Sequence, residues 1–406
     1  MTETPQELIL STQLIKRQVV TGAVILGVRR IILQIILTLT NVILARILLP
    51  EVFGISGIIR FLILTLGLFA NFGMGPAIVQ NKSKLSMKGL QSIFTLLMIA
   101  SIIFVVIIYF IAPSINIIYK GQLGDDGVFW LRIFSLSVLL DHLATISMHL
   151  LQRNLDFKKF TAGELICAVI SQLSTIYFVI NGWGLGGLVL GSLSGKIFAI
   201  IIFYLFHPWP VGIYFSYSSI KLMLPFGLNF QANNLLSSFN GAVIPIVAGA
   251  LSGPSAVGYL NWAGGIRSAG MAPFDTFEKL LFSSVARTQD NLQFLKTLVE
   301  KILKFYCLMS FPLLALIGAL APSLIKIIYT DKWLPGLNTL YLSLLQGVFL
   351  LLSTIFVDVL LALGRSSEVK NISFFWAILQ WILTIPLVLY FGFNGVVIAG
   401  ILVSAT

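Results

Sequence analysis

Ala112-Pro113-Ser114-Ile115-Asn116-Ile117-Ile118-Tyr119-Lys120 returns near the far end of the chain as Ala321-Pro322-Ser323-Leu324-Ile325-Lys326-Ile327-Ile328-Tyr329-Thr330-Asp331-Lys332. Trp183-Gly184-Leu185-Gly186-Gly187 likewise returns as Phe391-Gly392-Phe393-Asn394-Gly395, and the offset is about 208 residues in both cases. A third echo, Ala45 to Gly54 (ARILLPEVFG) against Ala248 to Gly258 (AGALSGPSAVG), lies at an offset of about 204. Leu- and Ile-rich helices resemble one another by chance, but shared Pro, Gly and Tyr at one spacing point to a true internal repeat. Two copies of a unit of about 200 residues result.

Each copy is membrane-like. Of the 406 residues 58% are hydrophobic and 10% charged, with mean hydropathy +0.99, against roughly 45–50% apolar and 25% charged in soluble domains. Apolar stretches of about 20 residues, enough to cross a hydrocarbon core of about 30 Å as a helix, recur nearly end to end. They predict helices at about 19–45, 52–78, 90–113, 128–151, 160–180, 184–206, 222–250, 256–283, 298–320, 336–362, 371–391 and 394 onward. The last run reaches Thr406 after about a dozen residues, too few to cross, and reads as a helix cut short. The expected fold is all-α and polytopic, with about 12 helices in two six-helix bundles. The expected boundaries are a cytoplasmic segment 1–18, a first bundle 19–206, a linker 207–221 and a second bundle 222–406. Because each half has an even number of helices, the copies should relate by an axis along the membrane normal, a parallel repeat.

Lys and Arg are retained near helix ends on the cytoplasmic side. Alternate connectors hold them at about three to one, with Lys16, Arg17, Lys82, Lys84, Arg153 and Lys158 in the rich set and Arg46, Lys120 and Lys332 in the poor one. This puts the N-terminus inside and accounts for the formal net charge of +11 without nucleic acid, since no basic stripe forms. Met1 to Gln18 lacks the apolar core and small-residue cleavage site of a signal peptide, so the first span is expected to stay as an anchor. Trp130, Trp183, Trp209 and Trp333 fall at predicted helix ends, as an interfacial belt would. Cys167 and Cys307 sit in apolar runs of different halves and imply no disulfide framework. Gly124-Asp125-Asp126-Gly127 reads as a turn rather than a metal pair. The glycines of Gly182 to Gly195 read as a close-packing helix face rather than a phosphate loop.

Ala45 to Gln80 (ARILLPEVFGISGIIRFLILTLGLFANFGMGPAIVQ), Gly258 to Asn291 (GYLNWAGGIRSAGMAPFDTFEKLLFSSVARTQDN) and Ala321 to Gly336 (APSLIKIIYTDKWLPG) resemble the oligosaccharide flippases, or polysaccharide biosynthesis proteins, of the multidrug, oligosaccharidyl-lipid and polysaccharide exporter superfamily. The resemblance implies two bundles around a V-shaped cavity that opens to each face in turn, and a cargo carried on undecaprenyl pyrophosphate. It also implies a bacterial or archaeal cytoplasmic membrane, with a polysaccharide polymerase and glycosyltransferases as neighbours. Transport is expected to draw on an ion gradient or the membrane potential, without a cofactor or bound metal. Related chains often place an acidic residue in the seventh helix, where Asn240-Gly241 stand here.

A cation near the bilayer centre costs about 2.5–3.5 kcal/mol on insertion scales, so charges within spans face water or a partner. Arg29, Arg30, Arg60, Lys196 and Arg267 fall inside predicted spans. Arg60 and Arg267 occupy nearly equivalent depths of the two repeats, about one helical turn apart. A guanidinium donates bidentately to phosphate oxygens and stays protonated, which suits a pyrophosphate. Arg30, Arg60 and Arg267 resemble the arginines of lipid II flippases thought to contact that group. The plainer alternative is a salt bridge within a bundle, with Asp275 two turns from Arg267 and Asp358 on the tenth helix. Asp141, His142 and His149 share the fourth helix and read either as a proton relay or as hydrogen-bonded packing groups. Glu164 reads as a headgroup-level residue.

Three functions follow in order. The first is a flippase for a lipid-linked oligosaccharide. The second is a multidrug or organic-cation antiporter of the same superfamily, for which Asp275 and Asp358 speak. The third is a membrane glycan polymerase, disfavoured because the outer connectors of about 3–15 residues are too short to build a catalytic pocket. No enzymatic site is expected.

Overall fold

In the computed structural model, residues 5–81, 86–221, 223–272 and 292–406 are described, and among them every regular element is helical. The elements are α1 (Pro5–Ile47), α2 (Pro50–Asn71), α3 (Met74–Gln80), α4 (Met87–Ile118), α5 (Gly124–Arg153), α6 (Phe157–Ile180), α7 (Gly184–Phe206) and α8 (Tyr217–Ile220). There follow α9 (Leu224–Gly241), a π-helical stretch Val243–Ala248, α10 (Gly249–Ser252), α11 (Pro254–Met271) and α12 (Leu292–Leu324). A second π-helical stretch Ile325–Tyr329 and a 3₁₀ turn Asp331–Gly336 lead into α13 (Leu337–Ala362), α14 (Ser366–Phe391) and α15 (Asn394–Ser404). Among the described residues nine helices are long and apolar enough to cross a membrane, and α9 with the bent segment after it makes a tenth.

Four differences from the predicted spans have physical causes. The segment before residue 19 is not a separate tail, since α1 is continuous from Pro5. The second span is broken at Phe72 and Gly73, whose φ values of 51° and 64° leave the helical region. A Cβ on Gly73 would stand 2.2 Å from the Gly227 carbonyl oxygen, so the break admits a close backbone approach that only glycine allows. The seventh span gives way to π-helix where Pro245 withholds a backbone donor. Asp125 and Asp126 are not a connecting turn but the acidic first turn of α5, where carboxylates complement the helix dipole. Asp126 also accepts from the Trp130 indole N–H at 2.9 Å.

The fold comprises two compact units. One holds Met1–Leu44, Leu62–Ile115 and Asp125–Leu236, the other Ala45–Phe61, Asn116–Gly124 and Ser237–Thr406. In the first, Met74, Ile78, Ile93, Leu97 and Ile146 form a core with Trp209. The α7 glycines sit on α6 in steps of four residues, because Cβ atoms on Gly187, Gly191 and Gly195 would meet Val179, Thr175 and Ser171 at 2.7, 1.9 and 2.6 Å. This is the close helix packing that small residues permit in a membrane. Gly191→Leu is therefore expected to cost about 1–3 kcal/mol through overpacking and to lower the melting temperature of the detergent-solubilised protein. Gly27→Ala, on an open face of α1, should leave it unchanged or raise it slightly.

The second unit repeats the same devices. A Cβ on Gly395 would lie 2.2 Å from the Leu387 backbone as α15 meets α14, the counterpart of Gly187 on Val179. Gly184 and Gly392 both have positive φ, and so do Lys120 and Thr330, which each follow the tyrosine of the repeated motif. Ala112 and Ala321 are both buried. Trp333 is fully buried and donates to the Ala45 carbonyl at 2.9 Å, with Phe53, Tyr259 and Trp262 around it. The expected tryptophan belt thus gives way at Trp130, Trp209 and Trp333, which are protein core, while Trp183 alone of the four is exposed.

Candidate functional site

Carboxylates of the same unit hold Arg29 and Lys196, two of the basic residues in the spans. On α1, Arg29 Nη1 lies 2.8 Å from Glu164 Oε2 of α6, and its guanidinium sits over the Phe160 ring at 5.6 Å. Glu164 is therefore an ion-pair partner within the unit rather than a headgroup contact. Lys196 of α7 bridges both carboxylate oxygens of Asp141 on α5. Arg30, the next position after Arg29, is exposed.

The α5 histidines sit in packed surroundings within the first unit. His142 is buried, with Nδ1 2.6 Å from Ser101 Oγ of α4. His149 Nδ1 lies 2.8 Å from the Thr145 carbonyl oxygen, and its ring covers Gly75 of α3. Asp141, turned to Lys196, and His142, turned to Ser101, do not form a continuous relay.

Arg60 and Arg267 stand apart. Arg60 is exposed, although it lies in the middle of the span Pro50–Asn71, and among the described residues no carboxylate pairs with it. Arg267 of α11 is half-buried, and its Nη1 donates to Gln346 Oε1 of α13. Two glycines make that contact fit. Arg267 Cγ would lie 3.2 Å from a Cβ on Gly347, and Gln346 Nε2 only 2.0 Å from one on Gly400. The alternative of a salt bridge to Asp358 is not realised, while Asp275 lies outside the described residues. Asp358 has one enclosed carboxyl oxygen, Oδ2, that accepts no hydrogen bond among the described residues.

Arg267 opens onto a cavity of about 520 Å³ inside the second unit, lined by residues of the π-helical stretch, α11, α13, α14 and α15. Its polar lining includes Ser343, Gln346, Ser373, Trp376 and Gln380, which the sequence reading passed over. A signal was there: Ser343 with Gln346, and Ser373 with Trp376 and Gln380, recur at spacings of three, four and seven, one face of a helix. Among the described residues no cluster of His, Cys, Asp and Glu could hold a metal ion.

Comparison with known proteins gives the chain's relatives. A family model described as "Polysaccharide biosynthesis protein" matches residues 43–337. Teichuronic acid biosynthesis protein TuaB of Bacillus subtilis (strain 168) is 22% identical over 312 residues, 75% of this chain and 62% of TuaB. Lipopolysaccharide biosynthesis protein WzxC of Escherichia coli (strain K12) is 22% identical over 354 residues, 86% of this chain and 70% of WzxC. The chain thus spans about three fifths of the length of TuaB. Among solved structures, the lipid II flippase MurJ in its inward closed conformation superposes with a TM-score of 0.71 at 18% identity, over 95% of this chain and 85% of MurJ. An inward-facing multidrug resistance MATE family transporter of the MOP superfamily gives 0.69 at 16%, over 92% and 91%. At such identities the likeness establishes the fold. With the family model covering well over half of its length, this multi-pass membrane protein belongs to the polysaccharide biosynthesis protein family.

Proposed function

We propose that the protein is a flippase that moves a lipid-linked oligosaccharide, borne on undecaprenyl pyrophosphate, across the cytoplasmic membrane by alternating access. The observation that carries this reading is the contrast among the intramembrane cations. Arg29 and Lys196 are held by Glu164 and Asp141, whereas Arg60 and Arg267 face no carboxylate among the described residues. Uncompensated guanidinium groups within spans are costly and mark a substrate path, and an anionic cargo would offset them. Family membership and relatives named for teichuronic acid and lipopolysaccharide biosynthesis support the same reading.

The charge asymmetry of the connectors supports an N-terminus in the cytoplasm. Glycosyltransferases on that side would supply the cargo, and a polymerase or ligase on the other would consume it. Transport needs no cofactor and draws on an ion gradient or the membrane potential. The organic-cation antiporter is the weaker reading, since the cavity beside Arg267 is lined by a cation and by no carboxylate among the described residues.

The test is reconstitution into liposomes with a fluorescent polyprenyl-diphosphate oligosaccharide in the inner leaflet. Its exposure outside is scored under proton, sodium and voltage gradients in turn. The protein is expected to move label to the outer leaflet well above the rate in protein-free vesicles under at least one gradient. Equal rates under all of them would remove the assignment.

A further inference from the structure

We infer that the cavity beside Arg267 is a subsite for a single acidic sugar of the cargo glycan, with the sugar's carboxylate on Arg267. The inference rests on the flippase reading and deepens it by naming what this part of the second unit reads.

Among the described residues that line the cavity, Arg267 is the only charged one. One guanidinium in a weakly screened site balances one negative charge. A diphosphate brings more negative charge than one guanidinium cancels, and the excess would be poorly compensated there. A carboxylate matches it.

A guanidinium carries five N–H donors in a planar fork, and the contact to Gln346 uses Nη1. The remaining donors can take a carboxylate side-on while Gln346, backed by Gly400, fixes the plane. Arg267 is thereby oriented before any ligand arrives, which reduces the entropy lost on binding.

Beside aliphatic side chains such as Val243, Leu260 and Val396, the lining carries polar groups that suit a sugar ring. Gln380 spends its Nε2 on Thr384 Oγ1 at 3.1 Å, which leaves its Oε1 to accept from a hydroxyl. Ser343 and Ser373 present hydroxyl groups from two helices. Trp376, whose ring stacks on no other aromatic ring among the described residues, offers an apolar face and an indole donor. A volume of about 520 Å³ is within the range of small-molecule sites. Arg60 does not line this cavity, so the diphosphate is left to Arg60 and the glycan to Arg267.

The experiment measures binding of soluble probes to the purified full chain in nanodiscs by saturation-transfer NMR. The probes are methyl glucuronide, its uncharged amide and methyl glucoside, with inorganic pyrophosphate as competitor. The glucuronide is expected to bind about tenfold more tightly than either neutral analogue, as a charge-assisted pair would give. Arg267→Gln should erase that preference, Arg267→Lys should keep part of it, and Trp376→Leu should weaken all three probes. Equal binding of the glucuronide and its amide overturns the inference. So does displacement of the glucuronide by pyrophosphate at lower concentration, which would make Arg267 a diphosphate contact and leave the flippase reading standing. The probe series on the unaltered protein decides the matter even if Arg267→Gln fails to fold. Glucuronide selectivity in a protein that moves no lipid-linked cargo would instead sink the flippase reading alone.

Discussion

Gly258→Leu should leave little folded protein to extract from the membrane, and the cause is a backbone contact rather than a lost side-chain interaction. A Cβ on Gly258 would lie 2.0 Å from the Pro50 carbonyl oxygen, and one on Gly54 would lie 1.7 Å from the Pro254 carbonyl oxygen. The two contacts are reciprocal, because Pro50 and Gly54 of α2 correspond to Pro254 and Gly258 of α11 at the repeat offset of about 204. The first turns of both helices therefore cross through their glycines. Most overpacking costs about 1–3 kcal/mol because a side chain can swing aside. A carbonyl fixed in a helix cannot, so the cost should reach or pass the upper end of that range. Total stabilities of about 5–15 kcal/mol leave limited room for it. Gly258→Ala should already broaden the gel-filtration peak and lower the melting temperature, with Gly54→Ala doing the same. A Gly258→Leu protein with the wild-type melting temperature would mean that the helices do not cross here.

That reciprocity was legible in the sequence as an echo of proline and glycine, and so were the twin helix ends after Tyr119 and Tyr329. Such features are local: a proline, a glycine or a positive φ is imposed by a few neighbouring residues. What hydropathy could not supply was the identity of an apolar residue's neighbour. Ile58 and Leu131 are enclosed by protein, while Ile117 at 77% and Leu389 at 72% exposure are not, yet each pair looks alike to an apolarity scale. In a bilayer the usual inference from apolar to buried fails, because acyl chains and protein core reward the same side chains. Charges suffered a similar blindness. Arg29 and Arg60 read alike as cations in spans, and only the fold brings Glu164 to the first. The Arg267 cavity was half visible, its guanidinium noticed and its serines, amides and indole passed over, since polar uncharged residues in a span carry no such penalty to draw attention.

Arg60→Gln should leave the protein folded and stop it working, while Arg29→Gln should do the reverse. Arg29 is tied to Glu164 at 2.8 Å. Removing it strands a carboxylate among apolar helices at a cost of about 1–3 kcal/mol, so less protein and a lower melting temperature are expected, with flux per folded molecule largely kept. Arg60 meets no carboxylate among the described residues, so its removal strands nothing. It also relieves an insertion cost of about 2.5–3.5 kcal/mol for a mid-span cation, and the melting temperature should hold or rise. If Arg60 instead holds a diphosphate by charge-assisted bonds of about 1.5–3 kcal/mol, flux of the labelled oligosaccharide should fall at least tenfold. Arg60→Lys should recover part of it, because a lysine keeps the charge but not the fork. The opposite signs separate a substrate contact from a structural one, since a structural arginine would lose stability and flux together. Wild-type flux in a well-folded Arg60→Gln protein would show that the cargo crosses without this cation, and the unneutralised charge at mid-span would then need another cause.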